Sequence, residues 1–481
     1  MENFPSDLAD FAVAHLGKLG AKYTEARIEN NEGNSYVLKN GVPEIAGYEK
    51  STGIGIRFLV NGCFGFVATN KLDKTKLMDL LRDSFRSTFR ASRSITEKSG
   101  ISDEKSIRAK EIKKPKINPL NISAEEKLSF LFDIEKEIGK TKMDVPSRYF
   151  SLSDMHVKKY YANSEGTKIL DDFPFVSCYY FITMKIGNEL AQRYWQHGNK
   201  DGWEAAKRWN LKTTLMNDLN ALYKNVKFGV KAPKGKVDLV TGAEVTGIIA
   251  HESGGHPYEA DRIMGREAAQ AGESFVTVDS VGKRMASEAV NVVDDPAVSA
   301  SPGNYKYDDE GVKARRKFLI KDGRIHEFLH NRETAWSMGL QSNGSARSSG
   351  YDREALIRMS NTFFLPGKHS FNELVEDIKF GIYLKNFNEW NIDDKRLNQK
   401  YVGGEAYLIK NGAICEPVKA PIIEIDTYRL YSSIDAISND KLELHAATCG
   451  KGEPMQGMPV YMGGPSLRIR NIRLGSPNKS S

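Results

Sequence analysis

Residues 236–262, KVDLVTGAEVTGIIAHESGGHPYEADR, decide how the chain is read. Residues 237–240, after the Gly- and Pro-bearing turn that precedes them, are expected to form a strand. Thr241 and Glu244 stand at capping-box spacing, so a helix is expected to start near Gly242 and run through Val245, Ile248 and Ile249. His251 and Glu252 then fall in its third turn. Polar groups on a helix that is otherwise apolar occupy places that packing would fill with carbon, and they call for a compensating ligand.

The spacing is H-E-x-x-x-H, one residue longer than the H-E-x-x-H pattern that stacks two imidazoles on one helical face for zinc. At about 100° per residue, an i, i+5 offset in a regular helix misplaces the second ring by roughly 140°. The extra residue lies in Ser253-Gly254-Gly255, where paired glycines allow a one-turn π-bulge that would restack i and i+5. Pro257 then bends or ends the helix near His256. The expectation is a distorted helix end that holds both imidazoles toward one point.

Two neutral imidazoles suit Zn²⁺, and a catalytic zinc takes three protein ligands and one open position. Cys449 is a candidate third ligand. It lies in HAATCGKGEPMQGMPVYMGGPS (445–466), where glycines and prolines argue against regular structure and predict a thiol on a loop. Glu252 is the residue a hydrolase needs as a base. The alternative is that His251 and His256 are hydrogen-bonded structural histidines and Cys449 a small apolar filler. Tyr258, Arg262 and His445, close in sequence to these residues, are read as structural.

His326-Glu327-Phe328-Leu329-His330 matches H-E-x-x-H to the letter, but its context is wrong. KFLIKDGRIHEFLH (317–330) reads as strand, Asp322-Gly323 turn, strand. Histidines four apart on a strand are separated by about 13 Å, too far to share one ion.

Outward from this segment, Ala232-Pro233-Lys234-Gly235 marks a domain boundary. Before it, helices are expected at 6–19, 71–92, 123–139 and 203–223. A small antiparallel sheet is expected at 23–67, turning at Asn40-Gly41 and Asn61-Gly62, and strands dominate 148–196. A Lys-rich stretch at about 94–121 reads as a linker or exposed flap. The fold class is α+β: an N-terminal α/β domain with helices on a sheet (1–232), a strand-rich C-terminal domain (233–475) and a tail (476–481).

Composition narrows the class further. The chain has 481 residues, with 69 Lys plus Arg against 62 Asp plus Glu; the net charge of +7 is too small and too dispersed to argue for nucleic acid. Four scattered cysteines exclude a disulfide framework and point to a reducing, cytoplasmic setting. No apolar run is long enough for a membrane span, and the acidic N-terminal segment is unlike a signal peptide.

At HESGGHPYEAD (251–261) the sequence resembles the TldD/PmbA family of zinc metalloproteases, on the TldD-like side. Further resemblance follows in order at YDDEGVKARRKFLIKDGRIHEFLHNRETA (307–335), RMSNTFFLPG (358–367) and ATCGKGEPMQGMPVYMGGPSLRIRNIRLG (447–475). The resemblance implies a C-terminal metalloprotease domain with zinc held by His251, His256 and Cys449 and with Glu252 as general base. It also implies action on peptides or unfolded protein segments, and a homodimer or a heterodimer with a PmbA-like companion that lacks the motif. Two other readings stay open: a non-catalytic regulatory protein of the gyrase-modulator type, and a hydrolase of small amides.

Overall fold

The computed structural model describes residues 4–267 and 272–475; the tail expected at 476–481 lies outside them. The N-terminal half is built on one seven-stranded sheet. Its strands are β1 (Tyr23–Lys39), β2 (Val42–Val60), β3 (Cys63–Thr69), β4 (Arg108–Ile112), β5 (Asp144–Asn163), β6 (Lys168–Ile186) and β7 (Glu189–Asn199), in the order β3-β2-β1-β5-β6-β4, with β7 also paired to β6. The hairpin turns carry positive φ at Asn40, Gly41, Asn61 and Gly62, as the Asn-Gly pairs predict.

Five helices accompany this sheet: α1 (Ser6–Leu19), α2 (Lys74–Ala91), α3 (Ala124–Gly139), α4 (Glu204–Arg208) and α5 (Leu211–Phe228). The single helix expected at 203–223 is thus two, because Asn210 adopts a left-handed φ of 48° and breaks the ladder. Ser123 caps α3, accepting from the Glu126 N–H at 3.2 Å. The Lys-rich stretch is not simply a flap. Its Arg108–Ile112 segment pairs in parallel with β6, and the Arg332 guanidinium donates to the Ser102 carbonyl at 3.0 Å.

Strand alternation sorts this sheet into two faces. Even-numbered residues form the apolar face under the helices: Ala26, Ile28 and Leu38 of β1, Phe150 and Leu152 of β5, and Val176, Cys178 and Tyr180 of β6. Odd-numbered Glu25, Arg27, Arg57 and Tyr161 are also buried, and they face the C-terminal half. Arg27 donates to Ser348 Oγ at 2.8 Å, Arg57 Nη1 to Glu310 Oε1 at 2.6 Å, and Tyr161 Oη to the Glu310 carbonyl at 2.8 Å.

The C-terminal half is strand-rich, with six-stranded, seven-stranded, three-stranded and two-stranded sheets among the described residues. Helix α6 (Ala243–Gly254) follows the strand Lys236–Thr241 and is buried on nearly every side. It packs on the strands Asn361–Phe364, Glu443–Lys451 and Gln456–Gly464 of the six-stranded sheet. The backbones come so close that a Cβ at Gly247 would lie 2.7 Å from the Gly463 nitrogen. The fold class is α+β, with antiparallel strands dominating and helices segregated from them.

Arg57→Ala removes the cation that faces Glu310 and Glu333 across the two halves. A buried carboxylate stripped of its partner costs about 3–5 kcal/mol. The variant is expected to be less stable by about 3–5 kcal/mol in urea unfolding followed by tryptophan fluorescence.

Candidate metal centre

Helix α6 starts without the expected capping box. Gly242 is the N-cap residue and makes no side-chain cap. Thr241 Oγ1 pairs instead with Thr246 Oγ1 at 2.7 Å, and Glu244 accepts two hydrogen bonds from Arg193 of β7, both 2.8 Å. An arginine from the other half offers Glu244 a bidentate, charge-assisted pair, which is stronger than a neutral bond to a backbone N–H.

The helix end also differs from the π-bulge expectation. The Gly255 N–H bonds to the His251 carbonyl in ordinary α fashion, and His256–Tyr258 then form one 3₁₀ turn. Tightening the last turn, rather than widening it, brings the rings together. Their centroids are 4.9 Å apart and their planes meet at 81°. Gly255 is needed for space: a Cβ there would lie 1.9 Å from Met359 Sδ.

Cys449 lies on a strand and not on a loop. Glu443–Lys451 pairs antiparallel with Gln456–Gly464, and Cys449 is opposite Met458. The glycines that argued against regular structure, Gly450 and Gly457, face each other across this hairpin, where neither side chain is missed. Alternation does the rest. Thr448 points to Gln196 of the N-terminal half at 3.1 Å, so Cys449 points the other way, toward the end of α6. Its Sγ lies 3.4 Å from His256 Nε2.

The ligand atoms of His251, His256 and Cys449 all lie within 4.8 Å of one another, and all three residues are buried. Tetrahedral zinc bonds of about 2.1 Å to nitrogen and 2.3 Å to sulfur would put such atoms about 3.6 Å apart. The separation found for Sγ and Nε2 fits that geometry. His251 Nδ1 is buried and has no hydrogen-bond partner among the described residues. Burial holds the His251 imidazole below its ordinary pKa, and so neutral. Burial alone would raise the Cys449 thiol, but His256 and Arg358 outweigh it and bring it down to about 7. Two nitrogens and a ready thiolate make a donor set that suits zinc.

Around these three lies a shell that sequence reasoning missed. Glu259 Oε2 is 2.9 Å from His256 Nδ1, so that nitrogen carries a proton, and a metal at the site would take the Nε2 lone pair. Glu259 also accepts from Arg262 Nε at 2.8 Å and pairs with Lys451 Nζ at 3.2 Å. Burial opposes its ionisation, yet Lys451 and His256 hold the carboxyl well below the usual range. Lys451 further donates to both Asp261 oxygens at 2.8 Å and to the Ile357 carbonyl at 2.9 Å. Glu259 follows His256 by three residues and Lys451 follows Cys449 by two, a proximity that could have marked them.

Glu252 is buried beside the two histidines, and its Oε2 accepts from Arg396 Nη1 at 2.6 Å. Burial raises its pKa, but His256 and Arg396 prevail and keep it below the ordinary value. Arg396 is 144 residues away in sequence and carried no signal there. Of the residues read as structural, Tyr258 is buried and makes no side-chain hydrogen bond among the described residues, Arg262 belongs to the Glu259 network, and His445 stacks on Trp195 at 5.1 Å.

The second motif is not a donor cluster. Its hairpin forms, with Asp322 and Gly323 at positive φ, but the return strand is only Arg324–Ile325. Glu327 turns back to accept from Phe318 N–H and Arg315, and His330 Nδ1 lies 3.2 Å from Thr334 Oγ1. Among the described residues, the His251, His256 and Cys449 group is the only convergent set of three such ligands.

Residues 234–476 match the PmbA/TldA metallopeptidase C-terminal domain, 24–95 match domain 1 and 117–222 the central domain. The chain belongs to the PmbA/TldA metallopeptidase family. It is 31% identical to a metalloprotease of Methanocaldococcus jannaschii, over 93% of this chain and 95% of that one. It is 25% identical to a zinc metalloprotease TldD homolog of Saccharolobus solfataricus, over 95% and 97% of the two chains. A Bacteroides thetaiotaomicron crystal structure described as a modulator of DNA gyrase shares the fold, with a TM-score of 0.74, 17% identity and 98% of both chains covered. No helix among the described residues is long and apolar enough to cross a membrane.

The low Cys449 pKa has a direct optical consequence. In metal-free protein, thiolate absorbance at 240 nm, taken as wild type minus Cys449→Ser, is expected to rise with pH about a midpoint near 7. A midpoint near the ordinary thiol value of about 8.5 would contradict the environment described.

Proposed function

We propose that the chain is a zinc-dependent peptidase acting on peptides or unfolded protein segments, with His251, His256 and Cys449 as metal ligands and Glu252 as general base. The reading rests chiefly on one observation: two nitrogens and one sulfur converge within 4.8 Å beside a buried, ionised carboxylate. The names of the relatives support the peptidase class, and one of them names zinc. The functional unit proposed is residues 233–475, with residues 1–232 packed over it.

A bound zinc ion supplies Lewis acidity to water and to the scissile carbonyl. The rest is the work of this chain. His256 is held in one tautomer by Glu259, so its Nε2 stays available as a donor. Glu252 takes a proton from the attacking water on a carboxylate oxygen and returns it to the departing amine nitrogen. Before that transfer Arg396 keeps the carboxylate ionised and oriented. The buried surroundings limit access of bulk water to these charges, which strengthens each interaction. A purely regulatory role of the gyrase-modulator type makes no use of Glu252, and the likeness to such a protein is one of fold.

Purified protein is expected to contain close to one zinc per chain by elemental analysis, and Cys449→Ala to lose most of it. Unchanged zinc in that variant would remove the cysteine from the site. Glu252→Ala should keep its zinc and lose about 10²- to 10⁴-fold in hydrolysis of an unfolded protein. Chelator-insensitive hydrolysis, or full activity in Glu252→Ala, would refute the mechanism.

A further inference from the structure

Arg396 sits in the turn between the strands Phe387–Ile392 and Asn398–Gly403, at a left-handed φ of 62°. Long side chains seldom adopt that backbone, which glycine or asparagine would take more cheaply. The turn is braced from several sides. The Arg396 N–H donates to the Asp393 carbonyl at 2.9 Å, the Leu397 N–H to Asp393 Oδ1 at 2.7 Å, and Thr427 Oγ1 to the Arg396 carbonyl at 2.8 Å. The result is a guanidinium projected over the end of α6, with its side chain 12% exposed.

How it meets Glu252 is informative. An arginine that serves only to neutralise a carboxylate tends to the two-pronged geometry seen here between Arg193 and Glu244. Arg396 instead commits one nitrogen, Nη1, at 2.6 Å, while its Nε is buried without a hydrogen-bond partner among the described residues. The neighbouring cations are committed to other groups. Arg262 binds Glu259 and Glu267 and Lys451 binds Asp261 and Glu259, while Arg358, whose Nε is likewise unpartnered among the described residues, commits both Nη atoms to the Gln456 and Cys449 carbonyls. The charge of Arg396 also reaches His251, where it adds to the effect of burial.

We propose that Arg396 is a catalytic residue of this site, holding Glu252 through Nη1 and offering its remaining N–H groups to the scissile carbonyl oxygen as that oxygen gains negative charge. This rests on the peptidase reading above. As water attacks, its oxygen bonds to the carbonyl carbon, one of its protons passes to Glu252, and the carbonyl π pair moves onto oxygen. Arg396 faces both products of that charge shift. When the tetrahedral species collapses, the C–N bond breaks and Glu252 returns the proton to nitrogen. A fixed guanidinium aimed at developing charge stabilises it without reorganising, and loss of one such donor costs about 10²- to 10³-fold in kcat.

The test uses the full chain loaded with Co(II), followed by its visible spectrum, with inorganic phosphate as a tetrahedral anion free of side-chain preference. Wild type should show a sulfur-to-cobalt band that phosphate perturbs saturably. Arg396→Ala should keep the band and bind phosphate at least about 10-fold more weakly, and Arg396→Lys, which retains the charge but not the second nitrogen, should fall between. On labelled casein, with zinc, Arg396→Ala should lose about 100-fold in kcat with KM within about threefold, the mark of an interaction made in the transition state. Phosphate affinity and kcat unchanged in both variants, or a wild-type spectrum indifferent to phosphate, would overturn the assignment. Failure of the peptidase reading shows differently: the sulfur-to-cobalt band is missing from the wild type, and this inference falls with it.

Discussion

The ionised carboxylate of Glu259, with no exposed side-chain surface, is the constraint on which the helix end depends. A bare buried carboxylate would be prohibitively costly, so three donors converge on it: His256, Arg262 and Lys451. Because Glu259 is an anion, His256 Nδ1 must bring a proton, which turns Nε2 toward Cys449 as the nitrogen free to bind a metal. Lys451 lies on the same strand as Cys449, two residues further on, so the charges that satisfy Glu259 also clamp that strand to the helix end. The spacing of the donors is thus a by-product of charge compensation. Such a buried network adds little net stability against an apolar alternative; what it provides is one arrangement in place of many.

The same logic joins the two halves of the molecule. The odd-numbered face of the N-terminal sheet carries Glu25, Arg27 and Glu29, alternating with apolar neighbours. All three are buried, and Arg27 and Arg57 find their partners in segments more than 250 residues downstream. Arg193 reaches from β7 to Glu244 in the first turn of α6. The N-terminal half therefore bears on the helix that carries His251, and the site is tied to both halves of the chain through paired charge rather than through an apolar seam.

Local chemistry was legible where it acts over a few residues. The Asn-Gly turns, the Ser123 cap and the helix of residues 6–19 depend on neighbours within one turn, and each is formed as its sequence suggests. The places where the reading failed share another cause. Thr241 and Glu244 have capping-box spacing, but distant partners outcompete the cap. The glycines around Cys449 suggested a loop, but a cross-strand partner makes a hairpin of them. Arg396 was invisible, since only the folded chain brings its turn to α6.

By itself the sequence determined the α+β class, the helix that carries His251, and the identity of the candidate donors, because periodicity and residue chemistry are local properties. The tertiary structure alone decided that the helix would tighten into a 3₁₀ turn, that Cys449 would face it, and that Glu259, Lys451 and Arg396 would surround it. Those outcomes follow from burial, which forces each ionisable group to find a partner wherever in the chain one can be brought within reach.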